Sequence, residues 1–97
     1  MSYYNIQRVN RLIKKIRALL NKKFASQYPA STVRVSPGYA DNIHILIVSG
    51  SFLGRSFTER DDMVWPILEA GLTPEEFVHI SLCLLLAPDE VPATFTG

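Results

Sequence analysis

Apolar side chains at Ile6, Val9, Leu12, Ile13, Ile16, Leu19, Leu20 and Phe24 recur at spacings of three, four and one. That is the period of a helix with a single apolar stripe. The positions between them, Gln7, Arg8, Asn10, Arg11, Lys14, Lys15, Arg17 and Asn21, are polar and mostly cationic. Asn5 is placed to cap this helix, and Tyr28-Pro29 to end it. Arg8 opposes the helix dipole at the start, whereas Lys22 and Lys23 suit its end. Docking of the stripe must therefore hold the helix, and its basic face is left for solvent or a ligand.

The period then changes. Residues 31–35 read as a short strand, Ser36-Pro37-Gly38 as a turn in which Gly supplies positive φ, and the β-branched run 43–49 as a central strand. The implied hairpin loop of about seven residues is a little long. Gly50 to Gly54 breaks the strand. Thr58 followed by Glu59, Arg60 and Asp61 marks a helix start, with Met63, Val64, Ile67 and Leu68 as its apolar face. Pro66 should kink or split that helix, and Gly71 is placed as its C′ residue. Thr73-Pro74-Glu75-Glu76 opens a further helical turn.

Residues 77–86 fit two patterns. As a helix they would be apolar on nearly all sides. As a strand, Val78, Ile80, Leu82, Leu84 and Leu86 share one face, with Phe77, His79, Ser81, Cys83 and Leu85 on the other. The alternation is the better match, and Pro88 stops it. The predicted order is α-β-β-α-α-β. Strands two and three, joined through helices, should lie parallel in a right-handed crossover. The expected architecture is α/β (α+β): a three-stranded mixed sheet with helices packed on one face, formed as a single domain over 1–97 with a loose tail at 92–97.

Charge sharpens the picture. All nine acidic residues lie beyond residue 40, and eight of the ten Lys and Arg residues lie before it. The first 40 residues thus carry about +8, although the whole chain carries only +1. A positive field of this kind on one element indicates a binding surface. The single cysteine, Cys83, permits no internal disulfide and fits a reducing compartment. The N-terminus lacks the apolar core of a signal peptide, and the longest apolar stretch is too short to span a bilayer. A cytoplasmic protein with no membrane association is expected.

The segment NIHILIVSGSFLGRSFTERDDMVWPIL, residues 42–68, resembles the centre of BolA-like proteins. In that family a buried strand ends in V-S, an F-x-G-K/R segment follows, and a helix opens with an R-H-R-x-V type signature. The matching pieces are Val48-Ser49, Phe52-Leu53-Gly54-Arg55 and Arg60-Asp61-Asp62-Met63-Val64. ISLCLLLAPDEV, residues 80–91, is similar to the family's last strand and its end. The resemblance spans residues 5–91. It implies a class II KH-like fold and the family's roles in stress response: partnering a monothiol glutaredoxin around a shared iron–sulfur cluster, and in some members binding DNA as a regulator. This chain departs from the pattern. The family's last-strand histidine is matched to Leu84, residues 36–42 contain no Cys or His, and the helix signature carries Asp61 and Asp62. Leucine cannot ligate a cluster, which argues against cluster sharing.

The chemistry-bearing residues are few. Cys83 in a leucine-rich strand reads as a small buried hydrophobe before it reads as a ligand or redox thiol. His44 and His79 have no ligand-spaced partner. Gly50–Gly54 matches neither a Walker loop nor the KH G-x-x-G. Glu59, Asp61 and Asp62 form a helix-start cluster with too few oxygens for a hard metal. Phe52 and Trp65 are candidate interface anchors, with core packing as the alternative. The basic positions Arg8, Arg11, Lys14, Lys15, Arg17, Lys22, Arg55 and Arg60 are the candidate contacts for a partner or for nucleic acid. No catalytic constellation stands out, and no metal or cofactor is expected. The sequence therefore points to a non-enzymatic regulatory or adaptor module that binds a protein. A nucleic-acid-binding regulator is the alternative, and the charge split also allows a homo-oligomer.

Overall fold

The computed structural model describes residues 3–92, with side chains from residue 6 onward. The elements are α1 (Tyr3–Leu20), a π-helical turn (Asn21–Ala25), β1 (Ser31–Pro37), β2 (Ile43–Ser49), α2 (Phe57–Gly71), α3 (Pro74–Phe77) and β3 (Ile80–Leu86). This is the expected α-β-β-α-α-β order. The sheet order is β1-β2-β3, with β1 antiparallel and β3 parallel to β2. A short turn allows the antiparallel pair, and the helical crossover enforces the parallel one. Except for Pro92, the tail expected to be loose lies outside the described residues.

Local details differ from the sequence reading. α1 begins at Tyr3, so Asn5 lies inside its first turn and does not cap it. Ile6 is exposed and drops out of the apolar stripe. β1 continues to Pro37, which shortens the turn to residues 38–42. Within it the left-handed residue is Ala40, at φ 58°. Gly38 has no positive φ; a Cβ there would lie 2.5 Å from His44 Nε2, so that ring would have to turn aside.

Ser56, and not Thr58, caps α2. Its Oγ accepts from Glu59 N–H at 3.2 Å, and Glu59 Oε1 accepts from Ser56 N–H at 2.9 Å. Pro66 does not split the helix, which runs unbroken to Gly71. The carbonyl that loses its donor belongs to exposed Asp62, where water can replace the bond. Gly71 is the last helical residue and has no positive φ. Its Cβ would fall 2.5 Å from Leu19 Cδ2, so a side chain there would require Leu19 of α1 to shift. Thr73 and Glu76 form the expected reciprocal cap of α3.

β3 is shorter than expected and carries a bulge. Phe77 belongs to α3, and the register steps from Ile43 opposite Ile80 to His44 opposite Leu82, leaving Ser81 as the extra residue. Ile80, Cys83 and Leu85 consequently face the helices, while Leu82, Leu84 and Leu86 face away. One uninterrupted alternation cannot hold across such a step. The core joins Val9, Ile13, Ile16, Leu20 and Phe24 to Val35, Ile43, Ile45, Ile47, Phe52, Val64, Leu68 and Leu85. Each fully buried aliphatic side chain contributes about 1.5–3 kcal/mol, which anchors a helix otherwise burdened with like charges. No helix among the described residues is long and apolar enough to cross a membrane.

Candidate interaction surface

The basic face of α1 is divided by what its cations touch. Lys15 Nζ lies 2.7 Å and 3.0 Å from the two carboxylate oxygens of Glu76, tying α1 to α3. Glu76 is thereby held below the usual carboxylate range, with the Thr73 backbone N–H as a second cause. Arg17 reaches the sheet and donates to the Val35 carbonyl at 3.0 Å. Arg11, Lys14, Lys22 and Lys23 are exposed and have no ion-pair partner among the described residues. Arg55 donates from Nε to its local Ser51 carbonyl at 3.0 Å.

Two candidate site residues are structural. Arg60 is only 4% exposed. Its guanidinium donates to Glu90 Oε1 at 2.6 Å, Glu90 Oε2 at 3.0 Å, the Leu85 carbonyl at 3.0 Å and the Arg55 carbonyl at 3.0 Å. It also stands 5.0 Å from the Phe57 ring centroid. With its donors engaged it is removed from the surface cations. Phe52 is fully buried and stacks on Phe24 at 5.6 Å, so it is core and no interface anchor. Trp65 is half-buried, edge-on to Phe77 at 5.4 Å, with Nε1 donating to Asp61 at 3.3 Å.

A cleft of about 540 Å³ opens between the start of α1 and the end of the sheet. Arg8, Arg11 and Lys15 line one wall over Val9 and Leu12, and Asp41, Glu75, Glu76 and His79 line the other. His79 Nδ1 sits 3.0 Å from the Asp41 carbonyl oxygen and 3.6 Å from Asp41 Oδ2. A carbonyl can only accept, so Nδ1 carries the proton. In the neutral ring Nε2 is then left with its lone pair. Tyr39 and Val78, close to this pair in the chain, are 88% and 74% exposed. Residues near His79 in the sequence include no ligand-spaced partner. The structure supplies one because the backbone bond from Ile43 N–H to His79 O at 2.8 Å seats the turn against the start of β3.

The BolA-like fold is defined by this helix–hairpin–helices–strand arrangement with its mixed three-stranded sheet. The solved structure of BolA1 from Arabidopsis thaliana matches with a TM-score of 0.55 at 18% identity, covering 84% of this chain and 96% of that one. No protein-family model matches the sequence, and no curated protein does so.

The family resemblance implies an iron–sulfur cluster, which needs thiolate or imidazole donors. Among the described residues no three His, Cys, Asp or Glu side chains are grouped to hold a metal ion. Cys83 faces the core, where burial and then Asp61 push its thiol up to about 12, far from a ligating thiolate. His79 is an imidazole in the lining of the cleft. The chain by itself does not fit a resident cluster.

Proposed function

We propose that this chain is a non-catalytic BolA-like adaptor that receives a protein partner at the end of the domain formed by residues 38–42, α3 and the start of β3. The observation that carries this reading is the contact of His79 with Asp41 at the cleft, flanked in the chain by the exposed Val78 and Tyr39. An exposed tyrosine such as Tyr39 is of the residue type enriched at binding hot spots. The partner in view is a monothiol glutaredoxin. Leu84 cannot ligate, but His79 presents one imidazole, so any shared cluster must bring its remaining ligands with the partner.

Sizing chromatography with a cluster-loaded monothiol glutaredoxin tests the reading, with visible absorption recorded on the eluted peak. A complex is expected, weakened by Val78→Asp, and an altered spectrum is expected that Ala at position 79 abolishes. Separate elution of the two proteins with an unchanged spectrum would refute it.

Nucleic-acid binding is the second reading, supported by the exposed cations Arg11, Lys14, Lys22 and Lys23, which have no ion-pair partner among the described residues. Phosphate neutralisation would make such binding steeply salt-dependent and insensitive to sequence. Duplex DNA titrated at two salt concentrations checks it, with Lys14→Glu as the probe. Lys15 is unsuited, since reversing it also breaks the tie to Glu76.

A further inference from the structure

We propose that the free edge of β3 pairs antiparallel with β3 of a second copy of this chain, across a two-fold axis at Cys83. The strand order leaves β1 and β3 as edges. β1 is guarded. Arg17 occupies the Val35 carbonyl, Pro37 has no N–H, and Arg34 is charged.

The bond from Arg17 also fixes the phase of the sheet. Val35 turns its backbone groups outward, so Ile45, its antiparallel partner, turns its own toward β3. Ile45 stands opposite Cys83, and in a parallel ladder it bonds the flanking residues, Leu82 and Leu84. Cys83 and Leu85 therefore direct their backbone groups out of the sheet. The Leu85 carbonyl agrees, since it accepts from Arg60 Nη1 at 3.0 Å. Ala87 N–H is taken by Glu90 Oε1 at 2.8 Å. These two bonds close only the C-terminal end of the edge. Upstream, this phase directs the Cys83 N–H and C=O and the Leu85 N–H to the open edge, and no turn, loop or side-chain group among the described residues bonds them there.

The makeup of the strand suits a second copy as the occupant. Ile80–Leu86 has no charge and no proline, the usual guards against strand addition. An uncharged strand meets its own copy without like-charge contact. With the axis at Cys83, that residue exchanges both backbone hydrogen bonds with its counterpart. Leu82 then stands opposite Leu84 of the second copy, and the reverse pair forms by symmetry. Both leucines lie on the face away from the helices, where Leu82 is 47% exposed. The pairing involves neither the cleft nor His79, so it stands or falls independently of the proposed partner.

Light scattering on the full chain from micromolar to millimolar concentration reads the mass, and hydrogen exchange reads the Cys83 and Leu85 amides. The expected result is a dimer that grows with concentration and protects those amides only when concentrated. Leu82→Lys, at an exposed position, should weaken association by about tenfold or more while the circular dichroism is retained. Leu82→Thr serves if the lysine lowers stability. A monomer throughout, a Cys83 amide that stays open in the dimer, or dimerisation indifferent to both substitutions overturns the proposal.

Discussion

Phe52 and Leu53 are neighbours in sequence with opposite fates, and replacing each by Ala tests the architecture directly. Phe52 is fully buried against Phe24, whereas Leu53 is 56% exposed. Returning a buried phenyl group to water forfeits about 1.5–3 kcal/mol. Losing the ring pair at 5.6 Å removes a further amount of about 0.5–1.5 kcal/mol. With incomplete collapse of the space left behind, Phe52→Ala should cost about 3–5 kcal/mol. In a domain of this size about 4 kcal/mol lowers Tm by roughly 15–30 °C. Leu53→Ala should stay within about 0.5 kcal/mol. Urea unfolding followed by circular dichroism and Trp65 fluorescence gives both values. A loss below about 1 kcal/mol for Phe52→Ala would show that residue 52 lies on the surface and that the packing of the segment 50–56 is wrong.

Ser56→Ala should destabilise by about 1 kcal/mol in the same assay, because it removes the α2 cap, whereas Thr58→Ala should be nearly silent. Glu76 and Glu90 have folded pKa values held below their ordinary value of 4.5, chiefly by Lys15 and by Arg60 respectively. The stability they confer is present above the unfolded value and is lost as pH falls through the lower folded values. Tm should therefore drop in acid, and drop less steeply in Glu76→Gln/Glu90→Gln; equal slopes in a pH series would contradict those pairings. Cys83, with its thiol pushed up to about 12, should resist a thiol-reactive disulfide reagent at pH 8 and react fully only in denaturant.

The fold was legible where a local signal had no rival. The stripe from Val9 to Phe24 and the β-branched run 43–49 each match one period, and Thr73 with Glu76 is a complete cap signature. Ser56 with Glu59 is an equally complete S-x-x-E signature, but Thr58 and its nearby acids drew the assignment two residues too late. The bulge at Ser81 has no sequence mark, so the face of Ile80 was misassigned. The site was less legible because its partners are remote in the chain. Arg60 and Glu90 are 30 positions apart, and His79 and Asp41 are 38 apart. Nothing local to Arg60 marks it for burial, and nothing local to His79 marks the turn it meets.

The segregation of charge along the chain does not survive folding intact. The crossover carries Glu75 and Glu76 back to the beginning of α1, where with Asp41 they face Arg8, Arg11 and Lys15 across the cleft. The far end of the helix receives no such company: Lys22 and Lys23 project from the π-helical turn with no counter-ion among the described residues. An approaching polyanion would thus be drawn to the tail of α1 while its head stays electrically muted. The molecule would meet such a surface in one preferred orientation, leaving the His79 end turned outward for another visitor.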